Sequence, residues 1–279
     1  MVPATLAQAF DPEFKIRLPD IPTHFDDAKA SIWGGLTKKT DPPRFGVRED
    51  LSRWESHGMS AIGKITNNQR KAKKFASEHL PEPERTLYHQ NEDDVARSSA
   101  LYLLHSINQA LSLWEDEDEH ILCRSEATED MARNDVTYFR RGPGRHIPFA
   151  VVEFKKRGVI KPDEFNKAIK DIDNTSISDI LVNAREKESA TFFEGDALVL
   201  MKQASSYAIT YGTRHVALFN WDFLVLCYFS NLMIDESDDI GDYCQISIIG
   251  FRDSHKMRLA LFGFLVEAYE ESVKLLGYN

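Results

Sequence analysis

Apolar and polar positions recur with two different periods along this chain, and the changes of period mark out its elements. From Asn91 onward, Val95, Leu101, Leu104, Ile107, Leu111 and Trp114 follow mostly helical spacing. Asn91 suits an N-cap, and Glu92, Asp93 and Asp94 then fill a first turn where the helix dipole favours negative charge. Strand-like runs follow at 121–128, 135–139 and 147–155. The third carries Phe149, Ala150, Val151 and Val152 in succession, which suits a central strand covered on both faces. Pro162 suits the first turn of a helix through 172, and a second helix is expected at 176–187. A third helix at 193–211 is closed by Gly212. Residues 214–221, 223–229 and 243–251 read as strands, and 255–276 as a long amphipathic helix. This succession predicts an α/β (α+β layered) domain, a central mixed sheet flanked by helices.

The first third of the chain reads differently. Eight of the 11 prolines fall before residue 84, so residues 1–45 are expected to be extended and Pro-punctuated. Short helices are expected at 51–56 and 68–80. The pattern therefore divides the chain into an N-terminal extension, 1–90, and a domain, 91–279. The acidic stretches 114–119 and 235–242 read as solvated loops.

Composition narrows the picture. A chain of 279 residues, 42% hydrophobic, is long enough to bury a substantial core. No apolar run reaches the roughly 18–20 residues needed to cross a bilayer, so no membrane partner is expected. The N-terminus has no basic residue before its short apolar stretch, which argues against a signal peptide. Cys123, Cys227 and Cys244 lack metal-ligand spacing and read as reduced thiols of an intracellular protein, nucleus and cytoplasm not being resolved. The net charge of −10 makes the chain a poor general polyanion binder. However, residues 133–161 hold eight basic residues against two acids, Asp135 and Glu153, which suggests a local anion site.

Those two acids carry the candidate chemistry. Side chains alternate along a strand, so Glu153 and Lys155 share one face while Phe154 turns to the other. A hairpin through Gly142 and Gly144 brings Asp135 alongside Glu153. Two carboxylates about 4 Å apart repel by roughly 4 kcal/mol at an effective dielectric near 20. A hard divalent cation relieves that repulsion. Lys155 is then placed to orient or help deprotonate a metal-bound water, or to stabilise charge developing on a phosphoryl group. Further along, Gln203 and Tyr207 lie four apart on the helix at 193–211 and point the same way. Arg140, Arg141 and Arg145 flank the hairpin turn, and Lys156 and Arg157 follow Lys155; all five are candidate phosphate contacts. A surface salt-bridge ladder at a strand end, with a polar pair on an exposed helix, is the plain structural alternative.

Asp135, then Glu153-x-Lys155 on a buried strand, then Gln203-x-x-x-Tyr207 on a following helix resembles the PD-(D/E)XK nuclease superfamily, in its RecB-like branch with a QxxxY helix. Residues 91–220 also follow that family's helix, three-strand, helix, strand order, under half of the chain. The resemblance implies a restriction-endonuclease-like core that hydrolyses phosphodiester bonds of nucleic acid, DNA more than RNA. It implies Asp135 and Glu153 as ligands of Mg²⁺, with Mn²⁺ as a substitute, and Lys155 serving the nucleophile. Gln203 and Tyr207 support the site. An acid from the first helix joins the metal, Glu92 being preferred to Asp93 and Asp94. Asn134 stands where the family commonly has proline. The acidic balance keeps two other readings open, a catalytically idle nuclease-fold binding or effector module and an RNA-directed nuclease. A homodimer is left open.

Overall fold

The computed structural model describes residues 3–23, 29–30, 39–115, 120–129, 132–141, 146–171, 177–187, 190–232 and 240–275. It is an α/β fold in which one mixed sheet of eight strands lies between two helical layers. The strands are β1 (Phe45–Arg48), β2 (Ile121–Glu129), β3 (Ala132–Arg141), β4 (His146–Phe154), β5 (Ile169–Lys170), β6 (His215–Phe219), β7 (Phe223–Tyr228) and β8 (Tyr243–Gly250). Their order across the sheet is β2-β3-β4-β6-β7-β8-β1-β5. Neighbours are antiparallel except for β4/β6, β8/β1 and β1/β5, which run parallel.

The described helices are α1 (Leu6–Phe10), α2 (Leu51–Asn67), α3 (Gln69–Ser77), α4 (Glu92–Ser99), α5 (His105–Trp114), α6 (Pro162–Ala168), α7 (Ile177–Arg185), α8 (Gly195–Tyr211) and α9 (Ser254–Leu275). Their ends follow the capping chemistry read from the sequence. Asn91 and Asp94 form a reciprocal capping box at α4. Pro162 opens α6, and Gly212, in the left-handed region at φ 56°, closes α8.

Alternation along β4 sorts its residues between the two layers. Ala150, Val152 and Phe154 face the larger cluster, under α1, α2, α4, α5 and α9. Val151 faces the smaller one, under α6 and α8. Glu153 and Lys155, two and four residues on, continue the Val151 face. β4 is flanked by β3 and β6, and its residues from 149 onward are buried, as its apolar start predicts. Pro148 has no amide to donate, and the β3/β4 register shifts beside its partner, between Tyr138 and Phe139.

Several expectations are corrected. Described parts of 1–90 are built into the sheet and its helical layers. β1 pairs with β8 and β5 inside the sheet, and α2 is a 17-residue helix rather than a short one at 51–56. Trp54, Gly58, Ala61 and Ile65 give α2 its buried stripe. The helix expected from Asn91 onward is interrupted by a π-helical turn, Ala100–Leu104, just beyond Ser99, whose hydroxyl donates back to the Val95 carbonyl. The helix expected to reach 172 stops at Ala168, because Ile169 and Lys170 pair with β1. Phe219, Trp221 and Phe229 are fully buried, as core residues. The turn at 142–145 and most of the two acidic stretches lie outside the described residues. Among the described residues no helix is long and apolar enough to cross a membrane. All three cysteines are free thiols.

Candidate metal centre

β3 and β4 bring the first two acids together through main-chain bonds as well as side chains. The antiparallel ladder matches Val136 with Val152, so Asp135 and Glu153 come next, opposite one another. The Phe154 amide donates to Asp135 Oδ2 at 2.6 Å, and the Asp135 amide donates to Glu153 Oε2 at 3.2 Å. Each carboxylate is thus oriented by the other residue's strand.

Lys155 follows directly. Its amide donates to the Phe219 carbonyl at 2.8 Å, prolonging the β4/β6 ladder by one residue. Its ammonium donates to Glu153 Oε1 at 2.6 Å. From α8, the Tyr207 hydroxyl donates to the same Oε1 at 2.9 Å. Glu153 therefore accepts three hydrogen bonds and is only 4% exposed. The fourth acceptor position of its carboxylate is left for a cation. Glu92, the first residue of α4, reaches in from the other side of the cluster. Its Oε1 lies 3.5 Å from the Lys155 ammonium, and its side chain is 45% exposed. One carboxylate oxygen from each of Glu92, Asp135 and Glu153 lies within 4.8 Å of the other two.

The electrostatics reflect three acids facing one base. Burial and the Glu153 charge push the Asp135 carboxyl up to about 7, against the pull of the Phe154 amide and Lys155. Burial also raises Glu92, with Glu153 adding to the shift and Lys155 opposing it. Burial by itself lowers the Lys155 ammonium, but Glu153 and Glu92 outweigh it and the net shift is upward. Burial and the neighbouring carboxylates raise Tyr207 far above the ordinary phenol range, so it stays a donor. One ammonium does not neutralise this cluster. Three hard oxygen donors, one of them open to solvent, form a group that could hold a metal ion.

Of the residues expected at the site, Asp135, Glu153, Lys155, Tyr207 and Glu92 meet. Gln203 lies one turn before Tyr207 on α8 and is likewise buried. Asp94 is used in the α4 cap and Asp93 is exposed, so Glu92 is the acid that α4 supplies.

The expected phosphate contacts fare less well, and two are corrected. Arg140 is 6% exposed and donates to the Ser272 carbonyl on α9. Arg157 forms a bidentate ion pair with Asp222 at 2.5–3.1 Å and donates to the Ile21 carbonyl. Both guanidinium groups are engaged by partners within the protein. Arg141 is exposed and Lys156 partly so. Arg145 lies outside the described residues. The backbone amides of Phe154 and Asp135 orient the carboxylates, a role for which a side-chain pattern holds no signal.

Comparison of the chain with descriptions of protein families, with curated proteins and with solved structures finds no match in any of the three.

Proposed function

We propose that this protein is a divalent-metal-dependent phosphodiesterase acting on nucleic acid, DNA in the first instance, built on a PD-(D/E)XK, restriction-endonuclease-like core. The observation that carries the reading is the meeting of three carboxylates from α4, β3 and β4 beside a buried lysine at the end of a central strand. The element order α4–α5, β2, β3, β4, α8, β6 supports it, with Tyr207 reaching the β4 glutamate from the helix layer.

Glu92, Asp135 and Glu153 would hold Mg²⁺ or Mn²⁺, which supplies positive charge and Lewis acidity toward a phosphate. The chain's own groups do the rest. Glu153 and Glu92 favour the charged form of Lys155, which suits it to orient the nucleophile and to stabilise phosphoryl charge. Tyr207 fixes Glu153 Oε1 and thereby the carboxylate plane. In the reaction a water oxygen bonds to phosphorus and releases a proton to solvent, the ester P–O bond breaks, and the departing oxygen takes up a proton from solvent.

A second reading, an idle nuclease-fold binding or effector module, is favoured by the net charge of −10 and by the interior placement of Arg140 and Arg157. One assay separates the two. Linear, circular and single-stranded DNA, and RNA, are incubated with Mg²⁺, Mn²⁺ or chelator and resolved on gels. Hydrolysis is expected with either cation and not with chelator, and Lys155→Ala should reduce it by at least about a hundredfold. Cleavage of RNA alone selects the RNA-directed form. Full cleavage by the Lys155→Ala variant, or none by the wild type on any substrate, rejects the phosphodiesterase.

A further inference from the structure

Away from the carboxylate cluster, a buried arginine stands on α9 with no acid to match it. Arg258 is 2% exposed, and all its described hydrogen bonds go to carbonyl oxygens. Its Nε and one terminal nitrogen donate to Tyr102 O at 3.3 and 3.0 Å, and the other terminal nitrogen donates to Ile16 O at 2.8 Å. A guanidinium has five N–H groups, so one on each terminal nitrogen is left over from these bonds. No carboxylate pairs with it among the described residues, and burial alone brings its pKa down to about 10. A buried charge without a counter-charge is costly, and an anion is what removes the cost.

The surroundings supply room for one. Arg258 lines a cavity of about 400 Å³ between the 3–19 segment, the 80–85 segment and the π-helical turn that carries Tyr102. Arg17 and Arg85 line the same cavity from exposed positions, with Glu82 the single acid among the lining residues. The rest of the wall is mostly proline and aliphatic, together with Tyr102. That volume falls within the usual range for small-molecule pockets, and the lining has their usual character, apolar walls with a few convergent polar groups. π-helical turns also recur at functional sites.

We propose that this cavity is a binding site for a small organic oxyanion, a phosphate monoester or carboxylate on an apolar or aromatic body. The two remaining Arg258 N–H groups receive the oxyanion at the inner end, Arg17 and Arg85 hold it from the mouth, and the prolines and Tyr102 cover the body. The site is separate from the carboxylate cluster and stands whether or not the protein cleaves nucleic acid.

The test uses the full chain with phenyl phosphate and benzoate as probes and phenol and benzyl alcohol as neutral controls. Binding is read by isothermal titration calorimetry and by the shift in melting temperature. At least one of the two anions is expected to bind with a Kd below about 1 mM and to raise the melting temperature, while the neutral controls do neither. The stronger of the two identifies the phosphate or the carboxylate as the natural head group. Arg17→Ala with Arg85→Ala, both on the surface, should weaken binding by about tenfold or more without changing the fold. Arg258→Lys should weaken it further, and if that variant fails to fold the surface pair still decides. No binding of either anion up to about 10 mM, or undiminished binding by the Arg17/Arg85 double variant, overturns the proposal.

Discussion

Asp135 concentrates the strain of the metal-free site, and the sign of its effect on stability can be worked out. Burial and the Glu153 charge push its carboxyl up to about 7 in the folded chain, against an ordinary aspartate value of 3.8. A folded-state value above the unfolded one means that the native state binds the proton more tightly. The stabilisation this gives is complete below pH 3.8 and is lost as pH rises through 7. Asp135→Asn keeps an acceptor for the Phe154 amide and removes the charge. With chelator at pH 8 the variant should therefore be more stable than the wild type, by on the order of 2 kcal/mol after allowing for solvent at the partly open site. Near pH 4 the gain should vanish. Urea denaturation at the two pH values reads the difference. Added Mg²⁺ should reverse it at pH 8 by stabilising only the wild type. An Asn variant less stable than wild type at pH 8 in chelator would show that the carboxylates are already compensated.

Helix α8 reaches the site through the Tyr207 hydroxyl, and that contact is separable from packing. Tyr207→Phe keeps the ring in the α6/α8 layer and leaves Glu153 Oε1 with only the Lys155 ammonium. Stability should fall by about 1 kcal/mol, while cleavage falls roughly tenfold through a loosened carboxylate. Melting curves and initial rates measured side by side test this, and an unchanged rate would remove Tyr207 from the site. Helix α9 makes a different demand. A Cβ on Gly263 would lie 1.8 Å from the Trp54 carbonyl oxygen and 2.6 Å from the Gly58 amide nitrogen. Gly263→Ala must push α2 and α9 apart and should cost about 3 kcal/mol or more in urea denaturation. A loss under about 1 kcal/mol would show that the two helices separate freely. The placement of these side chains was readable in the sequence because it is local: the period of a strand puts Glu153 and Lys155 on one face, and a cap at Asn91 fixes Glu92 in the first turn. What sequence could not supply were partners chosen by tertiary packing. β1 and β5 are four and two residues long and pair in parallel with distant segments, so no local period announces them. Arg157 reads as a free cation until Asp222, 65 residues away, is folded against it.

The charge distribution of the complete chain sets how it can meet a polyanion. The net charge is −10, and the three acids of the site themselves repel a phosphate. Arg140 and Arg157 are spent on the interior, which leaves Arg141 and Lys156 as the described candidates for phosphate contact from the basic stretch. Few contacts mean little counterion release, since the slope of log K against log salt is close to −0.9 per neutralised phosphate on duplex DNA. Binding of labelled duplex by the Lys155→Ala variant, followed by fluorescence anisotropy at fixed low Mg²⁺, should give a slope between about −1 and −3. Replacing Mg²⁺ with chelator should weaken that binding by about tenfold or more, because the carboxylates then face the phosphate unscreened. Arg141→Ala should lower the slope by close to one, whereas an Arg157 substitution should act on folding through its pair with Asp222. A slope steeper than about −5, or binding indifferent to the cation, would mean that the backbone is held by another surface and that the carboxylate cluster is not where nucleic acid docks.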